Sequence, residues 1–135
     1  IEKSTQIERN EYPSFIRRWA GVADAFERVA QPTIAVINGA DYEFSAHVPF
    51  ALKEGLTQAQ LDALAADRVP AGLTETDRAV LAYADAMTRQ VRVPDEVFAK
   101  LRMQLPEREL VELTVTIAGY NCVSRFLEAI QVDHE

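Results

Sequence analysis

The 135-residue chain is poor in the residues that build covalent and metal frameworks: it has one cysteine, Cys122, and two histidines, His47 and His134. A lone cysteine forbids an intramolecular disulfide, so a disulfide-framed secreted scaffold is excluded and a reducing compartment, the cytoplasm, is the expected setting. Two histidines, one of them in the last position but one, make no zinc set, and no Asp/Glu group has calcium-loop spacing. There is no Gly-rich phosphate loop and no serine nucleophile elbow. No metal and no cofactor is therefore expected. No apolar run approaches the roughly 20 residues that a membrane-spanning helix needs, so no membrane partner is expected either. Basic residues are in deficit, with 14 Lys and Arg against 21 Asp and Glu for a formal charge of −7. Such a chain repels phosphate backbones, which argues against a nucleic-acid partner.

What is present is an ordinary globular composition, 48% hydrophobic and 26% charged, enough to bury a core within a single domain over residues 1–135. Strand alternation is nearly absent, whereas helical spacing recurs along most of the chain, so an all-α fold of about six helices is expected. The first helix is read over about residues 13–30, from Phe15, Trp19, Val22, Phe26 and Val29, with Pro32 beyond it. A second helical region runs from Thr33 to Glu54, interrupted near Asn38-Gly39, bent at Pro49 and stopped at Gly55. Thr57 with Gln60 has capping-box spacing, and Thr74 with Asp77 starts a helix whose stripe is Val80, Leu81, Ala84, Met87 and Val91. Pro94 and Pro106 each fit the first position of a helix. The last helix carries Leu110, Leu113, Val115, Ile117, Val123, Phe126, Leu127 and Ile130 on more than one stripe, which points to a central helix or an interface between copies.

One stretch, residues 39–51, places ionisable groups inside an apolar context. Glu43 and His47 are four apart, so on a helix they share a face and the carboxylate can orient the imidazole. A histidine titrates near neutrality, which suits general acid/base work once a carboxylate fixes its tautomer. The same spacing also describes a plain surface pair contributing about 0.2–0.5 kcal/mol, or a core histidine satisfied by its neighbour. A fainter regularity is internal: Tyr42-Glu43, His47 and Ala51 superpose on Tyr120-Asn121, Arg125 and Ala129 at an offset of 78. If the halves are related, Arg125 is a candidate for holding a carboxylate, beside its reading as an ordinary ion-pair residue. Cys122, in an apolar helical setting, reads as a buried, inert thiol.

The run Tyr42-Glu43-Phe44-Ser45-Ala46-His47, followed by Ala51, Gly55-Leu56 and a helix begun at Thr57, resembles the signature of the carboxymuconolactone decarboxylase family, whose superfamily includes the AhpD-like alkylhydroperoxidases. Leu73-Thr74 through Tyr83, then Val97-Phe98, Glu109 to Leu113, and Tyr120-Asn121 with Arg125 follow in the family's order. The resemblance covers roughly residues 38–132 and leaves 1–37 as a divergent helical part. It implies an AhpD-like all-helical fold assembled as a homo-oligomer, a trimer or hexamer. It also implies one of two chemistries. The redox members use Cys-x-x-Cys-x-x-x-His; with His47 on that histidine, the thiol positions are Ala40 and Glu43, so a dithiol peroxidase is not expected. Those members also use a glutamate about one helix earlier, and Glu27 falls near that place, out of clear register. The decarboxylase-like branch implies Glu43 and His47 as catalytic residues acting on a small carboxylated or lactone substrate, with Tyr42, Phe50, Tyr120 and Arg125 as substrate-binding candidates. For loss of CO2 from carboxymuconolactone, the unsaturated lactone is itself the electron sink, so no cofactor is called for. The alternatives are an antioxidant relative with a degenerate redox site and a non-catalytic helical assembly protein.

Overall fold

The computed structural model describes residues 25–131, and they form six α-helices with no strand among them. A π-helical turn, Phe26–Ala30, runs directly into α1 (Gln31–Ile37); α2 (Asp41–Lys53), α3 (Gln58–Ala65), α4 (Glu75–Arg89), α5 (Asp95–Gln104) and α6 (Glu107–Ala129) follow. Of the helix read over about residues 13–30, residues 13–24 lie outside the described part. No described helix is long and apolar enough to cross a membrane.

Pro32 does not end the first helix. Its ring would crowd the carbonyl of Arg28 in α geometry, but a π turn precedes it, with the Gln31 N–H reaching back to the Phe26 carbonyl, and the chain stays helical to Ile37. This segment is the centre of the domain and packs against α2, α3, α4 and α6. It can be central because most of it is buried: Phe26, Val29, Ala30, Ile34 and Ala35 supply the apolar contacts, and each buried Phe, Val or Ile contributes about 1.5–3 kcal/mol. The long α6 is not a second centre: it buries the apolar stripe Leu110, Leu113 and Ile117 together with Thr116 and Ser124. Val111, Val115, Val123, Phe126 and Ile130 are exposed on the single chain, and so is Cys122. The expectation of a buried thiol is thus corrected: in a helix carrying apolar residues on several faces, one chain has only one core to cover them.

The breaks fall where backbone chemistry requires. Gly39, with φ +66°, ends α1, and Gly55, with φ +101°, ends α2. Thr57 Oγ1 accepts from the Gln60 N–H at 3.1 Å while Gln60 Oε1 accepts from the Thr57 N–H at 2.9 Å, completing the box that starts α3. Thr74 Oγ1 accepts from the Asp77 N–H at 3.1 Å. Pro94 and Pro106 sit one place earlier than read, as the residues preceding α5 and α6. Val91 does not join the α4 stripe, because the helix ends at Arg89 and Val91 lies beyond it, 77% exposed. It adopts φ +66°, and the Arg92 N–H bonds the Gln90 carbonyl across it at 2.7 Å. This is the tight three-residue turn that a β-branched side chain tolerates least.

A largely buried ion pair locks the central segment to its neighbours. Arg28 Nε and NH2 donate to Asp77 Oδ2 and Oδ1 at 3.0 and 2.8 Å, and NH1 donates to the Glu54 carbonyl at 3.2 Å. One guanidinium thereby ties the π turn to the start of α4 and the end of α2.

Candidate active site

α2 starts without a side-chain cap, on Ala40, and carries Asp41 and Glu43 in its first turn, where the helix dipole favours negative charge. His47 follows one turn later on the same face. Its Nε2 lies 3.8 Å from Glu43 Oε2, within reach for an ion pair but too long for a hydrogen bond. The closer partner is Glu27, from the π turn: its Oε2 lies 3.3 Å from His47 Nδ1. The imidazole therefore stands between two carboxylates from two different helical segments. All three side chains are only slightly exposed, 19% for His47, 14% for Glu27 and 12% for Glu43.

Two rings flank the imidazole. Tyr120 of α6 meets it edge-on, with centroids 5.6 Å apart, and Phe50 of α2 lies tilted at 5.7 Å. Tyr120 in turn packs edge-on against Phe26 at 4.8 Å, so the central segment, α2 and α6 meet at this point. Beneath them, Gln31 is buried and its Nε2 donates to the Glu43 carbonyl at 3.2 Å.

Of the residues expected at the site, His47, Glu43, Phe50 and Tyr120 come together. Tyr42 sits half exposed on the first turn of α2. Arg125 is engaged by other residues: its NH2 donates to the Thr88 carbonyl at 2.9 Å and its Nε reaches Asn38 Oδ1 at 3.4 Å. None of these bonds touches Glu27, Glu43 or His47; in the single chain Arg125 ties α6 to α4 and to the end of α1. Its neighbour Asn121 takes part in the same network, accepting from Asn38 Nδ2 and donating to Thr88 Oγ1, both at 3.0 Å.

Two residues at the site were undervalued or missed by spacing. Glu27 lies out of register when counted at 3.6 residues per turn because the π turn intervenes; π turns are rare and occur often at functional sites. Gln31 gave one signal, a lone amide within the apolar run from Val29 to Ala35.

No group of histidine, cysteine, aspartate or glutamate among the described residues is arranged to hold a metal. A groove of about 690 Å³ between α4 and α5 is lined by Ala79, Ala82, Val97, Met103, Arg78 and Lys100 among others, with no imidazole or thiol. Arg89 has its pKa raised, chiefly by its hydrogen bond to Asp67 and next by that to Asp85, at 2.7 and 3.2 Å. An arginine is already protonated throughout the physiological range, so that shift changes no charge.

An all-helical domain with a carboxylate-flanked histidine at the crossing of three segments describes a class, and comparison with known proteins supplies the family. The carboxymuconolactone decarboxylase family model matches residues 16–86, more than half of the chain, and the chain belongs to this family. The match includes Glu27, Glu43 and His47, begins earlier than the resemblance read from residue 38, and stops before Tyr120. Among solved structures, the fold is similar to that of a protein from Agrobacterium tumefaciens, described as of unknown function with a suggested role as the antioxidant defence protein AhpD. The two share 24% identity and a TM-score of 0.77, over 99% of this chain and 91% of that one. The fold is thus AhpD-like. No curated protein matches the chain.

Proposed function

We propose that the protein is a proton-transfer enzyme of the carboxymuconolactone decarboxylase type, acting on a small lactone or carboxylated substrate through His47. The observation that carries this reading is the imidazole held between Glu27 and Glu43. Ionised Glu27 accepts from Nδ1–H, which fixes the tautomer and leaves Nε2 as the working nitrogen. Glu43 stands beside Nε2 without being bonded to it, facing the nitrogen that takes up and gives back the proton. In a decarboxylation the bond to the carboxylate carbon breaks, CO2 leaves, and its electron pair runs into the unsaturated lactone. His47 then delivers a proton from Nε2 to carbon and is recharged from solvent. Phe50 and Tyr120 form the apolar walls of the proposed site, with Tyr42 as a further substrate-binding candidate.

The homo-oligomer, a trimer or hexamer, belongs to the same proposal, since the exposed Val111, Val115, Val123 and Phe126 of α6 make an apolar face that assembly would cover. A mass measurement by light scattering tests it, with a monomer as the contrary result.

The enzymatic reading is tested by proton NMR in D2O on carboxymuconolactone and related keto-acids and lactones, with wild type beside His47→Ala. CO2 loss or carbon-bound deuterium in wild type alone is the expected result. Turnover of hydroperoxides that persists in Cys122→Ser, with no lactone chemistry, would move the assignment to the antioxidant role suggested for the Agrobacterium neighbour.

A further inference from the structure

The central segment buries two polar side-chain atoms that find no hydrogen-bond partner, Gln31 Oε1 and Thr33 Oγ1. They differ in their surroundings. Thr33 lines a small cavity of about 40 Å³ together with Asp67, Arg68 and Asp85, a polar space large enough for a water molecule. Gln31 lies beside the site, one turn along from Glu27 and bonded to the backbone of Glu43. Its amide cannot be turned round to satisfy the oxygen, because the Glu43 carbonyl is only an acceptor and requires the NH2 end.

The bond that Gln31 makes adds little to folding. In an α-helix the carbonyl of residue 43 already accepts the N–H of residue 47, so Gln31 supplies a second donor to a satisfied oxygen. For stability alone, an apolar side chain of the same shape does as well or better, since a buried polar atom without a partner is costly. What the bond does accomplish is local. The Glu43 carbonyl closes the helical turn that carries both Glu43 and His47, and Gln31 grips that turn from the segment that carries Glu27.

We propose that Gln31 is a positioning residue: its amide fixes the Glu43–His47 turn of α2 against the Glu27 turn, keeping the imidazole between the two carboxylates. The inference rests on the reading of His47 as the proton carrier, but its test does not require turnover. In Gln31→Met, 15N spectra of the His47 ring report how its proton is divided between Nδ1 and Nε2, with His47→Asn identifying the signals. The expected result is a change in both ring nitrogens at fixed pH, with a melting temperature unchanged or raised. Thr33→Val, which removes the other orphaned atom of the same helix, is expected to leave the ring signals as in wild type. Unmoved ring signals in folded Gln31→Met, or an equal change in Thr33→Val, would overturn the proposal. If Gln31→Met does not fold, hydrogen exchange of the Gln31 side-chain NH2 in wild type decides: slow exchange supports the clamp, and exchange at the rate of an exposed amide overturns it. Ring signals that move in a protein with no lactone or proton-transfer activity would retain the clamp and discard the enzymatic reading.

Discussion

The first half of α2 and the corresponding part of α6 share a sequence pattern and come to opposite ends. Tyr42-Glu43 with His47 answers to Tyr120-Asn121 with Arg125, four residues apart in each case. On α6, the amide and guanidinium are taken up by Asn38, Thr88 and their backbone, and Ser124 accepts from Asn38 at 3.3 Å in the same knot. On α2, the carboxylate and imidazole stay 3.8 Å apart and leave Nε2 without a short bond to either carboxylate. The difference teaches how to separate a structural polar cluster from a chemical one. Saturated hydrogen-bonding groups hold helices together, whereas a titratable group held from one side retains a lone pair to use.

The sharpest way to test that contrast is His47→Ala, which should lower proton-transfer turnover about 10³-fold while circular dichroism stays that of the wild type. Glu27→Gln comes next. Losing the carboxylate at 3.3 Å from Nδ1 should cost about 10²-fold in kcat by loosening control of the tautomer, with KM little changed. Breaking the other half should do the reverse: Asn121→Ala takes one hydrogen bond each from Asn38 and Thr88 and should destabilise the fold by about 2 kcal/mol in urea titration, leaving kcat per folded molecule untouched. Glu43→Gln, at the longer contact, should reduce kcat only about 10-fold; a loss exceeding that of Glu27→Gln would reverse the order of the two carboxylates. The smallest effect lies outside both regions. Val91→Gly should raise stability by about 1 kcal/mol by removing a β-branched residue from a positive φ, read as a higher melting temperature.

How far the sequence could be read follows from which forces are local. Thr57 with Gln60, Thr74 with Asp77, and the stops at Gly39 and Gly55 were legible because capping and positive φ depend on a few adjacent residues. The stripe Val80, Leu81, Ala84 was legible because helical periodicity marks a buried face. Val91 was not, since the pattern continues one turn past the point where the backbone leaves the helix. The pair Glu43 and His47 was visible within α2, but Glu27 belongs to another segment, and no spacing along the chain states a distance across it. The partners of Arg125 were hidden for the same reason: its alignment with His47 is real in sequence, yet Asn38 and Thr88, which hold it, come from the end of α1 and from α4. Cys122 was expected inside because its neighbours are apolar, and apolar neighbours do not tell a core from a surface awaiting a partner.

The π turn gives the Glu27–His47 contact an unusual genetic fragility. A π turn is an α-helix with one residue too many, so deleting a single codon among Arg28, Val29 and Ala30 would restore regular geometry and swing Glu27 by about 100° around the axis. Such a deletion would spare most of the helical hydrogen bonds, yet carry Glu27 away from the imidazole. Here one inserted or lost triplet, without any substitution at Glu27 or His47, is enough to connect or disconnect the two.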